Sequence, residues 1–207
     1  MKNLRQLFLF AITIFSLLLF SGCGGGGRSS GSMRRYLFEA DRTGPGGNAI
    51  GGNICVENFK IASPFDGCNF VYKRAMNDYE TDYYNRFATS PEILITQQCR
   101  SWLEKSGIFR NVLNSSSAAT ADYILEGNVI SLYGDFAQEG QAFSVMQIRF
   151  FLVDETGDKP VILFSKDYNE KIEVAATGPA DIVGGYDEGL RNILSSFEKD
   201  LGSLNLK

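Results

Sequence analysis

Phe143-Ser144-Val145-Met146-Gln147-Ile148-Arg149-Phe150-Phe151-Leu152-Val153 is the stretch whose pattern decides the fold. Successive side chains of an extended chain point to opposite faces. Met146, Ile148, Phe150 and Leu152 therefore share one face, while Gln147 and Arg149 take the other. A strand of this kind has one side for a core and one for water. The flanking segments Tyr123 to Tyr133 and Val161 to Val174 are also rich in β-branched and aromatic residues. Asp154 to Pro160 carries Thr156-Gly157-Asp158, which is hairpin-turn chemistry. The three segments are expected to form a run of antiparallel strands.

The apolar face of that meander needs a cover. Thr177-Gly178-Pro179 opens a helix in which Val183, Tyr186, Leu190, Ile193, Leu194, Phe197 and Leu201 recur at three- or four-residue spacing, and Gly202 ends it. A second helix is predicted from Ser90-Pro91-Glu92, where Ser90 can cap and Pro91 fits the first turn, to about Ser106. Its stripe is Ile95, Cys99, Trp102 and Leu103, with Gly107 as the stop. Upstream, Tyr36-Leu37-Phe38 reads as a short strand and the glycine-rich Asp41 to Gly52 as a loop. Ile54 to Lys60 and Asn69 to Lys73 read as a hairpin around Ser63-Pro64-Phe65-Asp66-Gly67. The expected class is α/β (α+β), a single mixed, mainly antiparallel sheet with two main helices packed on it.

The N-terminus has a different order: Lys2 and Arg5, an apolar run from Leu7 to Phe20, then Ser21, Gly22 and Cys23. That is the charged, apolar and small-residue order of a secretory signal. As a helix at about 1.5 Å per residue, the run reaches only about two-thirds of a hydrocarbon core of roughly 30 Å. Leu19-Phe20-Ser21-Gly22-Cys23 resembles the lipobox of bacterial lipoproteins, with Phe20 where Leu is more usual. The resemblance implies cleavage before Cys23 and lipidation of its thiol by acyl chains such as palmitate. Two or three chains anchor far more firmly than the single chain that gives only marginal binding. Gly24 follows the cysteine and is not the Asp that retains many enterobacterial lipoproteins in the inner membrane, so the implied destination is the periplasmic face of the outer membrane. The expected organisation is a signal peptide over 1–22, a lipidated cysteine and Gly/Ser-rich tether over 23–34, and one periplasmic domain over 35–207.

The chain has 20 Lys and Arg against 24 Asp and Glu; cleavage removes Lys2 and Arg5, leaving 18 basic residues and a formal charge of −6. An acidic domain argues against nucleic acid as a partner and against electrostatic attraction of the whole domain to a membrane. Three cysteines remain beyond the anchor, so at most one intrachain bridge forms. Cys55 and Cys68 lie on neighbouring predicted strands and are the candidate couple, although a hairpin centred near Pro64 sets Cys68 opposite Lys60. Cys99, on the apolar side of a helix, reads as core packing.

There is no histidine anywhere in the chain, which removes the commonest general base and metal ligand. The sequence also lacks a GxSxG elbow, a phosphate loop and a CxxC pair. No enzyme activity, metal or cofactor is expected. An acidic pair such as Asp78 and Asp82 could supply two-carboxylate chemistry in a deep pocket, and a solvated segment is the plainer reading. If extended, that segment sets Asp78, Glu80 and Asp82 on one side and Tyr79, Thr81 and Tyr83 on the other. Phe70, Tyr72, Tyr79, Tyr83, Tyr84 and Phe87 fall within 18 residues. Such side chains serve either a core or a protein- or lipid-facing surface; Tyr72, Tyr83, Tyr84 and Phe87 are the candidates for the second role.

The order of segments resembles the ABC-type transport auxiliary lipoprotein family. It is carried by Val56-Glu57-Asn58-Phe59, Val71-Tyr72-Lys73-Arg74, Tyr84-Asn85-Arg86-Phe87-Ala88-Thr89-Ser90-Pro91, Leu103-Glu104-Lys105-Ser106-Gly107-Ile108-Phe109-Arg110-Asn111-Val112 and Ala121-Asp122-Tyr123-Ile124-Leu125-Glu126-Gly127, across roughly residues 35 to 201. Tyr72 is followed by Lys73 and only then Arg74, where the family more often has Arg directly after Tyr. The resemblance implies a non-enzymatic auxiliary subunit, partnered by an MCE-domain protein and an ABC permease and ATPase, for moving lipids or other hydrophobic molecules. A lipid ligand and a homo-oligomer are compatible with it. The alternative class is an outer-membrane assembly or stability lipoprotein outside any ABC system.

Overall fold

A computed structural model describes residues 32–175 and 178–206. The chain divides at Ser32–Met33, and the compact unit Met33–Lys207 is the one described below. Cys23, Gly24 and the expected signal lie outside the described residues, as does Thr177 at the opening of the second helix.

The expected meander is present. β7 (Tyr123–Asp135), β8 (Ala142–Asp154) and β9 (Val161–Val174) pair in sequence order and antiparallel. Met146, Ile148, Phe150 and Leu152 are buried, whereas Arg149 is exposed and joins Asp167 of β9 in an ion pair. From Met146 to Leu152 the face alternation of β8 thus follows its sequence pattern, because one side of the strand packs into the core and the other is partly open to water.

The other short strands are arranged around β7. Along the edge of β7 opposite β8, the chain from Gly51 to Ala75 runs parallel to it in three pieces: β2 (Gly51–Val56), β3 (Lys60–Ile61) and β4 (Asn69–Ala75). This corrects the expected hairpin. Ile54 and Asn69 do not begin paired strands; Ile54 sits beside Tyr123 and Tyr72 beside Gly134 on the same neighbour. Ser63-Pro64-Phe65 forms a 3₁₀ turn and Gly67 has φ 101°, so the turn residues do turn the chain. What they make is a detour and not a reversal. Between the strands, Glu57 N and Ala62 N donate to the carbonyls of Leu125 and Val129 at 3.0 and 2.9 Å, which keeps the chain on β7.

β5 (Asp78–Phe87) is the strand that reverses onto β4, through a two-residue turn at Met76-Asn77 in which Asn77 takes φ 61°. β1 (Arg34–Tyr36) runs parallel on the far edge of β5, and β6 (Phe109–Asn114) parallel on β2. The sheet is mixed, as expected, with nine strands among the described residues.

Helix α1 (Pro91–Ser106) buries Leu94, Ile95, Cys99, Trp102 and Leu103, which contains the predicted stripe. Ser90 stands at its N-cap without a side-chain cap bond, a correction to its expected role; Pro91 alone fits the first-turn expectation. Gly107 ends the helix at φ 69°, and a Cβ there would meet the Gly47 carbonyl oxygen at 2.8 Å. Helix α2 (Pro179–Gly202) buries all seven predicted stripe residues. Phe197 stacks on Phe150 with ring centroids 4.3 Å apart. At the other end, Gly185 lets the helix approach until a Cβ would meet Ser144 Oγ at 2.3 Å, and the Ser144 hydroxyl donates to the Ile182 carbonyl at 2.7 Å.

Candidate functional site

The aromatic candidates separate into two groups. Tyr72 and Phe87 are 7% and 3% exposed and belong to the core, where Phe70 lies 4.5 Å from Phe87 and Tyr186 contacts it from α2. That overturns their candidacy as partner- or lipid-facing residues. Tyr83 and Tyr84 are 76% and 60% exposed. The alternation expected along this segment holds in the ladder as far as Asp82 and then fails.

The reason is a bulge. Asn69 pairs with Arg86 and Phe70 with Asp82, so Tyr83, Tyr84 and Asn85 have no counterpart on β4. The Asp82 carboxylate builds it. It accepts the backbone N–H groups of Tyr84 and Asn85 at 2.8 and 3.0 Å, the Asn85 side-chain amide at 2.8 Å and the Tyr72 hydroxyl at 3.0 Å. Burial pushes the Asp82 pKa up, and these bonds outweigh it, so the carboxyl is held below its ordinary 3.8. The same environment raises the Tyr72 phenol, mainly through burial and then through the Asp82 charge. An acid so engaged is a structural anion. Asp78 is exposed and sits at the turn end of β5, opposite Ala75, while Asp82 lies four residues on, opposite Phe70, so the two do not assemble as an acidic pair.

Around the bulge the surface is apolar and basic. β1 runs beside it with Arg34 opposite Asn85 and Arg35 opposite Arg86. Met33 is 54% exposed, and its sulfur lies 3.8 Å from Arg86 Nη1. Tyr79, further along β5, is half-exposed and packs edge-on against Phe65 and Tyr133.

A cleft of about 580 Å³ opens between the Arg42–Ile50 loop and the two helices, lined by Arg42, Trp102, Arg191, Ser195 and Glu198 among others. Its size suits a small ligand, but its one carboxylate, Glu198, is already engaged within the protein. Arg42 Nε and Nη2 each reach Glu198 at 2.9 Å, Trp102 Nε1 donates to Glu198 at 2.7 Å, and Arg42 Nη1 and Nη2 also donate to the Gly44 and Pro45 carbonyls at 3.0 Å. The Arg42 hydrogen bonds, against burial and with help from Trp102, hold the Glu198 carboxyl below its ordinary value. This triad braces the glycine loop to both helices. Its members are 156 and 96 residues apart in sequence, so no local pattern announces it.

Cys55 and Cys68 are free, a correction to their candidacy as a bridge. β2, which carries Cys55, and β4, which Cys68 precedes, lie one after the other along the same edge of β7, with Cys55 beside Ile124 and Tyr72 beside Gly134. Burial, followed by the Glu57 carboxylate 3.8 Å away, raises the Cys55 thiol pKa, which disfavours the thiolate. Cys99 is fully buried in the core. Among the described residues, no group of three or more Asp, Glu and Cys is placed to hold a metal ion, and no helix is long and apolar enough to cross a membrane.

Neither a family model nor a curated protein matches the sequence. Solved structures do match in shape. Protein XCC0632 of Xanthomonas campestris, assigned to DUF330, superposes with a TM-score of 0.64 at 12% identity over 79% of this chain and 90% of its own. An uncharacterized protein gives 0.63 at 12% identity over 82% and 99%. A hypothetical protein of Chlamydia trachomatis gives 0.54 at 7% identity over 74% and 99%. At such identities the likeness is one of fold: this chain shares the architecture of a DUF330 protein over nearly the whole length of that protein.

Proposed function

We propose that the protein is a lipoprotein anchored through Cys23 on the periplasmic face of the outer membrane, serving as an auxiliary subunit of an ABC-type, MCE-associated transport system for lipids or other hydrophobic molecules. The observation that carries the reading is the order Leu19-Phe20-Ser21-Gly22-Cys23 followed by a glycine tether and then one compact α+β unit. The family resemblance of the ordered segments supplies the transport role, and the fold shared with a DUF330 protein is compatible with it. Arg42 and Glu198 in the cleft are engaged with each other in bracing, which favours a role built on location and docking over one built on chemistry.

The partners in this reading are an MCE-domain subunit and an ABC permease and ATPase, with a lipid ligand and self-association both compatible. Affinity isolation of the lipidated protein from its own cells, with mass spectrometry of what accompanies it, tests the role. Recovery of a permease, ATPase or MCE subunit is the expected result. Consistent recovery of outer-membrane assembly factors, with no transport subunit, would sink the transport role and favour an assembly lipoprotein.

A further inference from the structure

We infer that the β1–β5 edge, carrying Met33, Arg34, Arg35, Tyr83, Tyr84 and Arg86, is the face that the domain lays against an anionic lipid surface once Cys23 is anchored. This rests on the anchoring half of the reading above and is independent of its transport half.

The bulge is the first ground. Three residues are looped out of the ladder between its Asn69–Arg86 and Phe70–Asp82 pairs, and Asp82 spends four hydrogen bonds on holding them there. The result is two adjacent tyrosines standing in solvent. Tyr is an amphipathic side chain, with an apolar ring and a polar tip, and it is enriched where hydrocarbon gives way to headgroups.

Charge is the second. The chain is acidic overall, at −4, yet Arg34, Arg35 and Arg86 gather on two neighbouring strands at this edge. Among the described residues none of the three takes part in an ion pair. The nearest acid in the bulge, Asp82, is turned to its own N–H groups. By contrast Arg74, at the opposite end of the same hairpin, is paired with Glu80 at 2.6 Å. Unpaired arginines beside tyrosines suit anionic headgroups: the long stem lies along apolar surface while the guanidinium reaches phosphate.

Connectivity is the third. Ten peptide links separate Cys23 from Met33, and a chain of that length spans at most about 35 Å when fully extended. β1 begins at Arg34, so the patch contains the first strand described after the anchor. A lipid on Cys23 therefore confines this edge near the membrane, which lowers the entropic cost of further contact.

The test uses the lipidated mature chain in vesicles of phosphatidylethanolamine and phosphatidylglycerol whose acyl chains are brominated and quench nearby tryptophan. Flotation first establishes that the protein is on the vesicles. Trp102 is buried at 5% exposure and gives the background. A Tyr84→Trp variant, with Tyr83→Trp as its duplicate, reports on the patch; Ile162→Trp, at an exposed position of the β9 edge, reports elsewhere. The expected result is loss of the added emission for Tyr84→Trp and its retention for Ile162→Trp, the loss being relieved by Arg34→Glu with Arg35→Glu. If floated Tyr84→Trp and Tyr83→Trp protein is quenched no more than the Trp102 background, or if Ile162→Trp is quenched equally, the face is wrongly assigned while the anchor stands. A chain that fails to float overturns the anchor and this orientation together, without touching the question of transport partners.

Discussion

Asp82 shows how one side chain can shape a surface. Its carboxylate gathers four donors, and replacing it by alanine leaves a buried Tyr72 hydroxyl and two backbone N–H groups to find new partners. Leaving such groups unsatisfied costs about 1–3 kcal/mol. Asp82→Ala is accordingly expected to lower the urea midpoint, and to raise hydrogen exchange at Tyr84 and Asn85 more than elsewhere. The pH dependence has a definite sign. Asp82 and Glu198 both have folded pKa values below their ordinary 3.8 and 4.5. Their contribution is therefore complete above those ordinary values and is lost as pH falls through the lower, folded ones. Denaturation midpoints followed from pH 7 down through the carboxylate range should fall, and a Glu198→Gln variant should show a shallower fall. The same substitution removes an anion facing Arg42, a guanidinium whose side chain is 10% exposed. A loss of about 1–3 kcal/mol at neutral pH is expected for stranding that cation, read by thermal or urea unfolding.

At the scale of elements, what the sequence declared was one-sidedness. β8 and the two helices each turn a single apolar face to the core, so their periodicity is visible within a dozen residues and the predicted stripes match the buried ones. The Gly51–Ala75 region was illegible for the opposite reason. Its strands owe their position to β7, some 60 to 70 residues later in the chain, and the Ser63–Gly67 turn chemistry is the same for a detour as for a hairpin. β6 gave no warning, since its Phe109-Arg110-Asn111-Val112-Leu113-Asn114 is a half-exposed edge strand without a clean alternation. At the candidate site, the exposure of Tyr83 and Tyr84 could not be separated from the burial of Tyr72 and Phe87, because a bulge breaks the period-two rule that would sort them. The Asp82-x-x-Asn85 spacing was the only local trace of it. How tightly elements approach is likewise a property of pairs: Gly185 meets Ser144 across 41 residues of sequence. Gly185→Ala places a methyl where Ser144 already stands, and overpacking of this kind costs typically about 1–3 kcal/mol. Gly184→Ala, with open space around its Cβ position, should be neutral or slightly stabilising. Parallel thermal melts of the two variants check the contrast.

The unit Met33–Lys207 is a sheet organised on β7, covered by two helices and braced by Arg42, Glu198 and Trp102. Its stability does not depend on a disulfide in this structure, since Cys55, Cys68 and Cys99 are all free. A reducing agent should therefore leave the melting temperature unchanged. On the reading proposed above, the molecule contributes location: a folded domain tethered ten residues beyond a lipidated cysteine, with an aromatic and basic edge where the tether joins it. That account stands on Cys23. Mass spectrometry of the N-terminal peptide, from protein extracted from its own envelope, tests it most directly. The predicted result is a peptide beginning at Cys23 and heavier than its sequence by a diacylglyceryl group, with or without a further acyl chain. A mature protein that begins elsewhere, or a Cys23 carrying an unmodified thiol, would contradict it.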